Sequence, residues 1–143
     1  MTEASSCKDE DIFIVGGANS AGQAAVHFSE FAPSIKMIVR GDSLSKSMSH
    51  YLVERVSTIP NISVILNSEV TEVCGGDRLE EITVRHHDIQ STEKLAAAAL
   101  FIFIGAEPHT QWLDGIVCRD SKGFLVTGQN LLNAGKRPAG WNL

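Results

Sequence analysis

The sequence predicts an α/β fold, a doubly wound parallel sheet with an inserted antiparallel β-meander. Three observations predict it. Apolar runs typical of buried strands alternate with segments of helical periodicity up to about residue 66. From residue 69 to residue 95 the pattern changes to short segments joined by turn residues, as in antiparallel strands. A buried apolar run returns at residue 99, which brings the chain back into the parallel sheet.

The first βαβ unit spans residues 11–40. An uninterrupted apolar strand over 11–15 runs into a glycine-containing turn, and apolar residues at helical spacing then predict a helix over 20–32. Pro33 ends that helix, and a second apolar run predicts a strand over 35–40. The unit closes within about 30 residues, the length expected for two parallel strands and their crossover helix.

The later elements follow from the same patterns. Their predicted bounds are a helix over 44–57, a parallel strand over 62–66, antiparallel strands over 69–74, 80–86 and 92–95, and a final parallel strand over 99–104. Gly75 and Gly76, followed by Asp77, form the turn that joins the first two antiparallel strands.

The turn after the first strand has the pattern of a phosphate loop. Its residues are Gly16, Gly17, Ala18, Asn19, Ser20 and Ala21, which read G-x-G-x-x-A with Ala18 in place of the second glycine. Gly16 makes the turn, Ala21 lets helix and strand pack closely, and the N–H groups around Asn19 and Ser20 point at a pyrophosphate. We expect the Ala18 methyl to push the phosphates outward or to weaken binding. The loop predicts a Rossmann-like, dinucleotide-binding domain.

The end of the second strand distinguishes the two nicotinamide dinucleotides. An acidic residue there holds the ribose 2′-hydroxyl of NAD, and a basic residue accommodates the 2′-phosphate of NADP. Arg40 lies at the strand end and Lys46 about one helical turn further on, which favours NADP(H). Two alternatives stay open: Asp42 favours NAD(H), and Arg40 is a solvated charge at the strand end without a role in binding.

These motifs resemble the NADPH-binding domain of the thioredoxin reductase branch of the pyridine nucleotide-disulfide oxidoreductases. The phosphate loop of that family reads G-G-G-x-S/T-A, which residues 16–21 approximate. Its 2′-phosphate motif reads H-R-R-x-x-x-R, and over residues 39–45 only Arg40 matches it. Its later I-G-x-x-P-x-T segment is matched by residues 104–110.

The resemblance also implies a domain organisation. It extends through a Gly-Phe-Leu-Val strand at 123–126 and covers roughly residues 11–128, the NAD(P)H-binding domain. Residues 1–10 form an acidic, serine-rich leader, and residues 129–143 a linker or tail toward a missing FAD domain. The family binds FAD in a separate domain with its own glycine motifs, which this sequence lacks. We therefore expect an isolated pyridine-nucleotide domain whose parent carries FAD.

Two departures from the family concern redox groups. Thioredoxin reductases carry a redox C-x-x-C upstream of the phosphate loop, whereas Cys7, Cys74 and Cys118 have neither disulfide-motif nor metal-ligand spacing. The chain resembles the subset of these flavoproteins that lacks the dithiol, unless an upstream boundary has removed it. Gln23 lies where many relatives have a Glu facing the flavin and nicotinamide. It either hydrogen-bonds the carboxamide or is an exposed polar helix residue.

The resemblance implies that the domain binds NADPH across the Gly16 loop and orients the nicotinamide for hydride transfer to a flavin elsewhere. Gly105 follows the last parallel strand, at the sheet edge where ligands bind, and a side chain there would obstruct the nicotinamide. A turn glycine before Pro108 is the alternative. Because no residue stands out as an acid, base or nucleophile, the chemistry belongs to the cofactors, and the isolated domain is expected to be inactive alone.

Two other functions remain open. A non-catalytic nucleotide-sensing or regulatory module on the same fold is favoured by the departures at Ala18, Gly41 and Ser45. Binding of another adenine cofactor, such as S-adenosylmethionine, is disfavoured by the segment around Pro108. Affinity for NADPH separates nicotinamide presentation from binding of another adenine cofactor. Hydride transfer in the full-length chain separates nicotinamide presentation from the regulatory module.

Charge and composition limit the partners. The formal net charge is −5 and the only adjacent basic pair is Lys136-Arg137, which argues against nucleic acid or acidic lipid. No apolar run reaches about 18 residues and the N-terminus has no signal peptide, so a cytoplasmic protein away from membranes is expected. His86 and His87 are adjacent on a predicted strand and point to opposite faces, so no metal site is expected. The resemblance implies a homodimeric parent.

Overall fold

The computed structural model describes residues 10–132. The chain divides into two compact units, Met1–Ile104 and Gly105–Leu143. Of the expected leader and tail, residues 1–9 and 133–143 lie outside the described residues. Between residues 10 and 132, no helix is long and apolar enough to cross a membrane.

Within residues 10–132, the α-helices and β-strands lie in the first unit. In chain order they are β1 (Asp11–Val15), α1 (Asn19–Phe28), β2 (Ser34–Ile38), α2 (His50–Thr58), β3 (Ile62–Ile65), β4 (Ser68–Gly75), β5 (Leu79–His86), β6 (Ser91–Ala96) and β7 (Ala99–Ile102).

A four-stranded parallel sheet in the order β3-β2-β1-β7 forms the middle of the first unit. Its central strand β1 has parallel partners on both sides, with Phe13 opposite Lys36 of β2 and Leu100 of β7. Ile12, Phe13 and Ile14 are completely buried. A strand covered on both faces must be apolar at every position, which explains the uninterrupted run in the sequence.

The two faces of the parallel sheet are covered by different layers. Helices α1 and α2 pack on one face, where their buried residues form one core cluster with Ile12 and Ile14. On the other face, Phe13 and Ile38 pack against Ile82 and Val84 of β5, the central strand of an antiparallel sheet in the order β4-β5-β6. The predicted fold class is confirmed, and the meander packs against the face of the parallel sheet opposite the helices.

The predicted helix over 44–57 is wrong over residues 44–49, because α2 begins only at His50. Residues 41–49 form turns instead, in which the Leu44 carbonyl accepts the N–H groups of both Ser47 and Met48. Leu44 and Met48 are buried, and their spacing produced the helical pattern. The serines between them offer alternative hydrogen bonds to the backbone, which disfavours a regular helix.

The second unit has little regular structure among its described residues. Two short 3-10 helices cover Gln111–Leu113 and Gly128–Leu131. The predicted strand over 123–126 is wrong, because only an isolated bridge joins Arg119 and Leu125 there. The Asp120 carboxylate accepts the N–H groups of Lys122 and Phe124 at 2.9 Å each, so the chain turns instead of extending.

Candidate nucleotide-binding site

The predicted phosphate loop lies at the carboxyl edge of the parallel sheet, directly after β1. The Gly16 N–H donates to the Ile38 carbonyl at the end of β2 at 3.1 Å. On the other side, β7 continues alongside β1, and the Phe103 N–H donates to the Val15 carbonyl at 2.8 Å. The strand order reverses between β1 and β7, and ligands of open α/β sheets bind at such a switch point.

Gly16 is required by both conformation and space. Its φ of +141° belongs to the region that side chains rarely adopt. A Cβ atom there would lie 2.5 Å from the Phe103 carbonyl oxygen and 3.2 Å from the Ala21 Cβ. Both the turn and the close packing of helix against strand therefore depend on this glycine.

Gly17 and Ala18, which follow, differ in how strongly the structure restricts their side chains. A Cβ atom on Gly17 would lie 2.7 Å from Val39 Cγ1, so close packing against the end of β2 requires the glycine. Ala18 is the N-cap residue of α1, with φ −103° and ψ −177°, extended backbone that any residue adopts. Ala18 is exposed, and the obstruction of a pyrophosphate by its methyl group stays a prediction.

The N-terminus of α1 is open to a ligand. No side chain caps it within the described residues, since Ala18 offers no acceptor. The first N–H group with an acceptor in this helix is that of Gly22, which donates to the Ala18 carbonyl at 3.1 Å. The N–H groups of Asn19, Ser20 and Ala21 precede that bond and so lack an acceptor within the helix. Such a helix end favours an anion such as a pyrophosphate.

Residues 41–49, called the serine segment below, pack against the phosphate loop. The Ser47 hydroxyl donates to the Gly17 carbonyl at 2.8 Å, and the Ser49 N–H donates to Asn19 Oδ1 at 2.8 Å. The Asn19 side chain is therefore engaged in holding the start of α2. Sequence reasoning missed Ser47 and Ser49; the signal was the alternation of serines from 43 to 49, which does not reveal their partners.

The charged residues predicted to select the nucleotide follow β2. Arg40 is exposed and forms no salt bridge with any residue that the structure describes. Lys46 Nζ lies 2.7 Å from Asp42 Oδ1 and donates to Asp42 Oδ2 at 2.9 Å. This hydrogen bond and the positive charge of Lys46 hold the pKa of the Asp42 carboxyl below its usual value. Both side chains are largely exposed, so the pair contributes little to stability.

Gln23 shares a groove with Asn19 of the predicted phosphate loop, whereas Gly105 belongs to the second unit. Gln23 is exposed on α1 and lines an open groove of about 420 Å³ with Tyr51 and Arg55 of α2. Gly105 begins the second unit with φ +107°, and a Cβ atom on it would meet nothing within 4 Å. This conformation fits a turn glycine, and the role of either residue beside the nicotinamide stays a prediction.

The cysteines and histidines outside the loop have separate surroundings. Cys74 and Cys118 are exposed and not in a disulfide, whereas Cys7 lies outside the described residues. His86 Nδ1 lies 2.9 Å from the Ser68 hydroxyl, and His87 Nε2 lies 3.5 Å from a Glu69 carboxylate oxygen. Across residues 10–132, no group of three His, Cys, Asp or Glu side chains is placed to hold a metal ion.

Comparisons with known proteins place this architecture in one family. The protein-family model described as pyridine nucleotide-disulphide oxidoreductase matches residues 1–131. A thioredoxin reductase of Streptomyces clavuligerus is 37% identical over 118 residues, which are 82% of this chain and 36% of that protein. An NADH dehydrogenase of Ferdinandcohnia aciditolerans is 29% identical over 117 residues, 82% of this chain and 22% of that protein.

A solved structure shares the fold. The crystal structure of thioredoxin reductase from Streptococcus pyogenes MGAS5005 superposes with a TM-score of 0.79 at 24% identity, covering 88% of this chain and 41% of the other. The chain thus spans well under half the length of the proteins that it matches. With its glycine loop at the switch point of a parallel sheet, and a family match over residues 1–131, the chain belongs to the pyridine nucleotide-disulphide oxidoreductases, as a thioredoxin reductase-like domain.

Proposed function

We propose that this chain is the NADPH-binding domain of an FAD-dependent thioredoxin reductase-like oxidoreductase, in which it presents the nicotinamide for hydride transfer to flavin. The observation that carries the proposal is the cradle at Gly16 and Gly17. A Cβ atom at either position would lie within 2.7 Å of a neighbouring atom, so the loop keeps its backbone free of side chains at the open end of α1. Family membership supplies the class of ligand, a pyridine nucleotide.

The residues of this chain bind and orient the nucleotide. The pyrophosphate accepts hydrogen bonds from the N–H groups at Asn19, Ser20 and Ala21, where the helix dipole favours negative charge. Arg40 accommodates the 2′-phosphate beyond the end of β2. When bound, the nicotinamide supplies the hydride, and the flavin of the parent protein accepts it. The proposal includes a reducing cytoplasm and a homodimeric parent, as in the family.

The second candidate is a nucleotide-sensing or regulatory module without catalysis. Gly41 and Ser45 stand where the family motif has two further arginines, and the charge of Lys46 is already paired with Asp42. These features favour weaker recognition of a 2′-phosphate. Both candidates bind a dinucleotide, and only the first transfers hydride when the domain is part of the full-length parent chain.

Calorimetric titration with NADPH and NADH at low salt tests the proposal. Ser20 is exposed in the first turn of α1, so Ser20→Asp favours the helix while its carboxylate repels a pyrophosphate. We expect the wild-type chain to bind NADPH and Ser20→Asp to weaken binding by roughly tenfold or more. Ser20→Asn is the uncharged control and keeps the affinity. Absence of binding by the wild type, or equal affinity of the two variants, would contradict the proposed role of the loop.

A further inference from the structure

The feature of the site that the proposed function does not use is the ion pair between Asp42 and Lys46. The two residues are four apart, and the single turn at Leu44, whose carbonyl accepts two N–H groups, brings their side chains together. Lys46 Nζ lies within 2.9 Å of both Asp42 carboxylate oxygens. One of the two basic residues expected to bind a 2′-phosphate is therefore already neutralised by a carboxylate of the same segment.

The turn that carries this pair is held in place at several points. The Gly41 carbonyl accepts the Asn67 N–H at 3.0 Å, and Ser47 donates to Gly17 in the phosphate loop. Leu44 is only 8% exposed and belongs to the core beneath the turn. Since the backbone on both sides is tied down, Asp42 stays beside the end of β2, where the adenine-side ribose of a bound dinucleotide would lie.

The two dinucleotides make opposite demands on this pair. A ribose 2′-hydroxyl donates to a carboxylate, so Asp42 can hold NAD(H) while Lys46 remains paired with it. A 2′-phosphate carries negative charge, and Lys46 can reach it only by leaving Asp42. The carboxylate then stands unpaired next to a like charge, which opposes binding. Only Arg40 attracts the phosphate without such a cost.

We infer that Asp42 is a specificity-determining residue that lowers the preference for NADP(H), so that the site accepts NAD(H) as well. This inference rests on the proposed function, because it concerns the selectivity of the same nucleotide site. The Asp42 carboxylate adds to the absence of arginines at Gly41 and Ser45 in lowering the discrimination, and Arg40 is the residue that retains NADP(H) binding.

The test is the ratio of dissociation constants for NAD⁺ and NADP⁺, measured by calorimetry on the wild-type chain, Asp42→Asn and Asp77→Asn. Asp77→Asn is the control, because it removes the same charge from the turn after β4. The neighbouring Arg78 pairs with Glu10, which precedes β1 at the opposite edge of the sheet. Asp42→Asn frees Lys46 and removes the repulsion, so we expect the ratio to shift toward NADP⁺ by roughly fivefold or more. The control leaves the ratio unchanged.

Two ligand fragments locate the effect at the 2′-position. The preference for 2′,5′-ADP over 5′-AMP should rise by the same factor in Asp42→Asn, because these compounds differ only in the 2′-phosphate. If the wild type binds the dinucleotides and Asp42→Asn keeps its ratio, the inference is overturned while the proposed function stands. If the wild type binds neither dinucleotide, the proposed function falls and the inference falls with it.

Discussion

At the scale of single residues, the loop glycines illustrate two different physical requirements. Gly16 adopts a positive φ and its Cα faces the Phe103 carbonyl, so a backbone atom would have to move to admit any side chain. Gly17 has ordinary backbone geometry, and only the Val39 side chain excludes a Cβ atom from it. The turn after a buried strand predicts the first requirement from sequence. The second arises from a residue 22 positions away and is visible only in the folded chain.

Arg40 gives a prediction at the same scale. Because a charge-assisted hydrogen bond to a 2′-phosphate contributes about 1.5–3 kcal/mol, Arg40→Ala should weaken NADPH binding by that amount and leave NADH binding nearly unchanged. Parallel titrations with the two nucleotides measure the difference. Arg85→Ala, on the exposed side of β5 next to Glu69, is the control. Equal weakening of both nucleotides by Arg40→Ala would exclude a contact to the 2′-phosphate.

At the scale of elements, the serine segment connects the predicted phosphate loop to the start of α2. Its apolar residues Leu44 and Met48 enter the core below α1, while its polar groups pair with Gly17 and Asn19 of the loop. The sequence periodicity reflects only the burial of Leu44 and Met48, whose spacing of four residues predicts a helix. The hydrogen bonds to a segment about 30 residues earlier decided the conformation, since serine satisfies turn geometry as readily as helix geometry.

Ser47 and Ser45 provide a matched test of the contact between the serine segment and the predicted phosphate loop. Ser47→Ala removes the hydrogen bond to the Gly17 carbonyl and should lower the free energy of unfolding by about 0.5–1.5 kcal/mol, with weaker nucleotide binding because the loop is less fixed. Ser45→Ala removes a neighbouring exposed hydroxyl that has no such partner among the described residues. Urea unfolding and calorimetry measure the two effects. Equal stability and equal nucleotide affinity of the two variants would show that the Ser47 hydrogen bond does not stabilise the loop.

At the scale of the whole molecule, stability depends on covering both faces of the parallel sheet. The helices cover one face, and the meander covers the other through Ile82 and Val84, which are completely buried. The meander is therefore a structural layer in the place of crossover helices, although its edge strands are mostly exposed. The sheet that carries the phosphate loop depends on this layer for its packing.

Removing a buried side chain from the meander tests that dependence. Ile82→Ala should lower the free energy of unfolding by about 2–5 kcal/mol, because it opens a cavity against Phe13 and Ile38. Ile89→Ala, in the exposed turn between β5 and β6, should change it by less than about 0.5 kcal/mol. Chemical denaturation followed by circular dichroism gives both values. A small effect of Ile82→Ala would mean that the meander is not part of the folding core.

The sequence by itself determined the fold class, the order of most helices and strands, and the glycine turn that follows β1, whose role as a phosphate loop stays a prediction. Buried parallel strands need continuous apolar runs, and the helices between them have a different periodicity, so these patterns can be recognised from neighbouring residues alone. Tertiary structure alone decided that residues 41–49 form turns instead of a helix, that residues 123–126 form an isolated bridge with Arg119 instead of a strand, and that Asp42 pairs with Lys46. Each of these outcomes depends on which polar partner a segment finds after folding, and short-range periodicity does not record that choice.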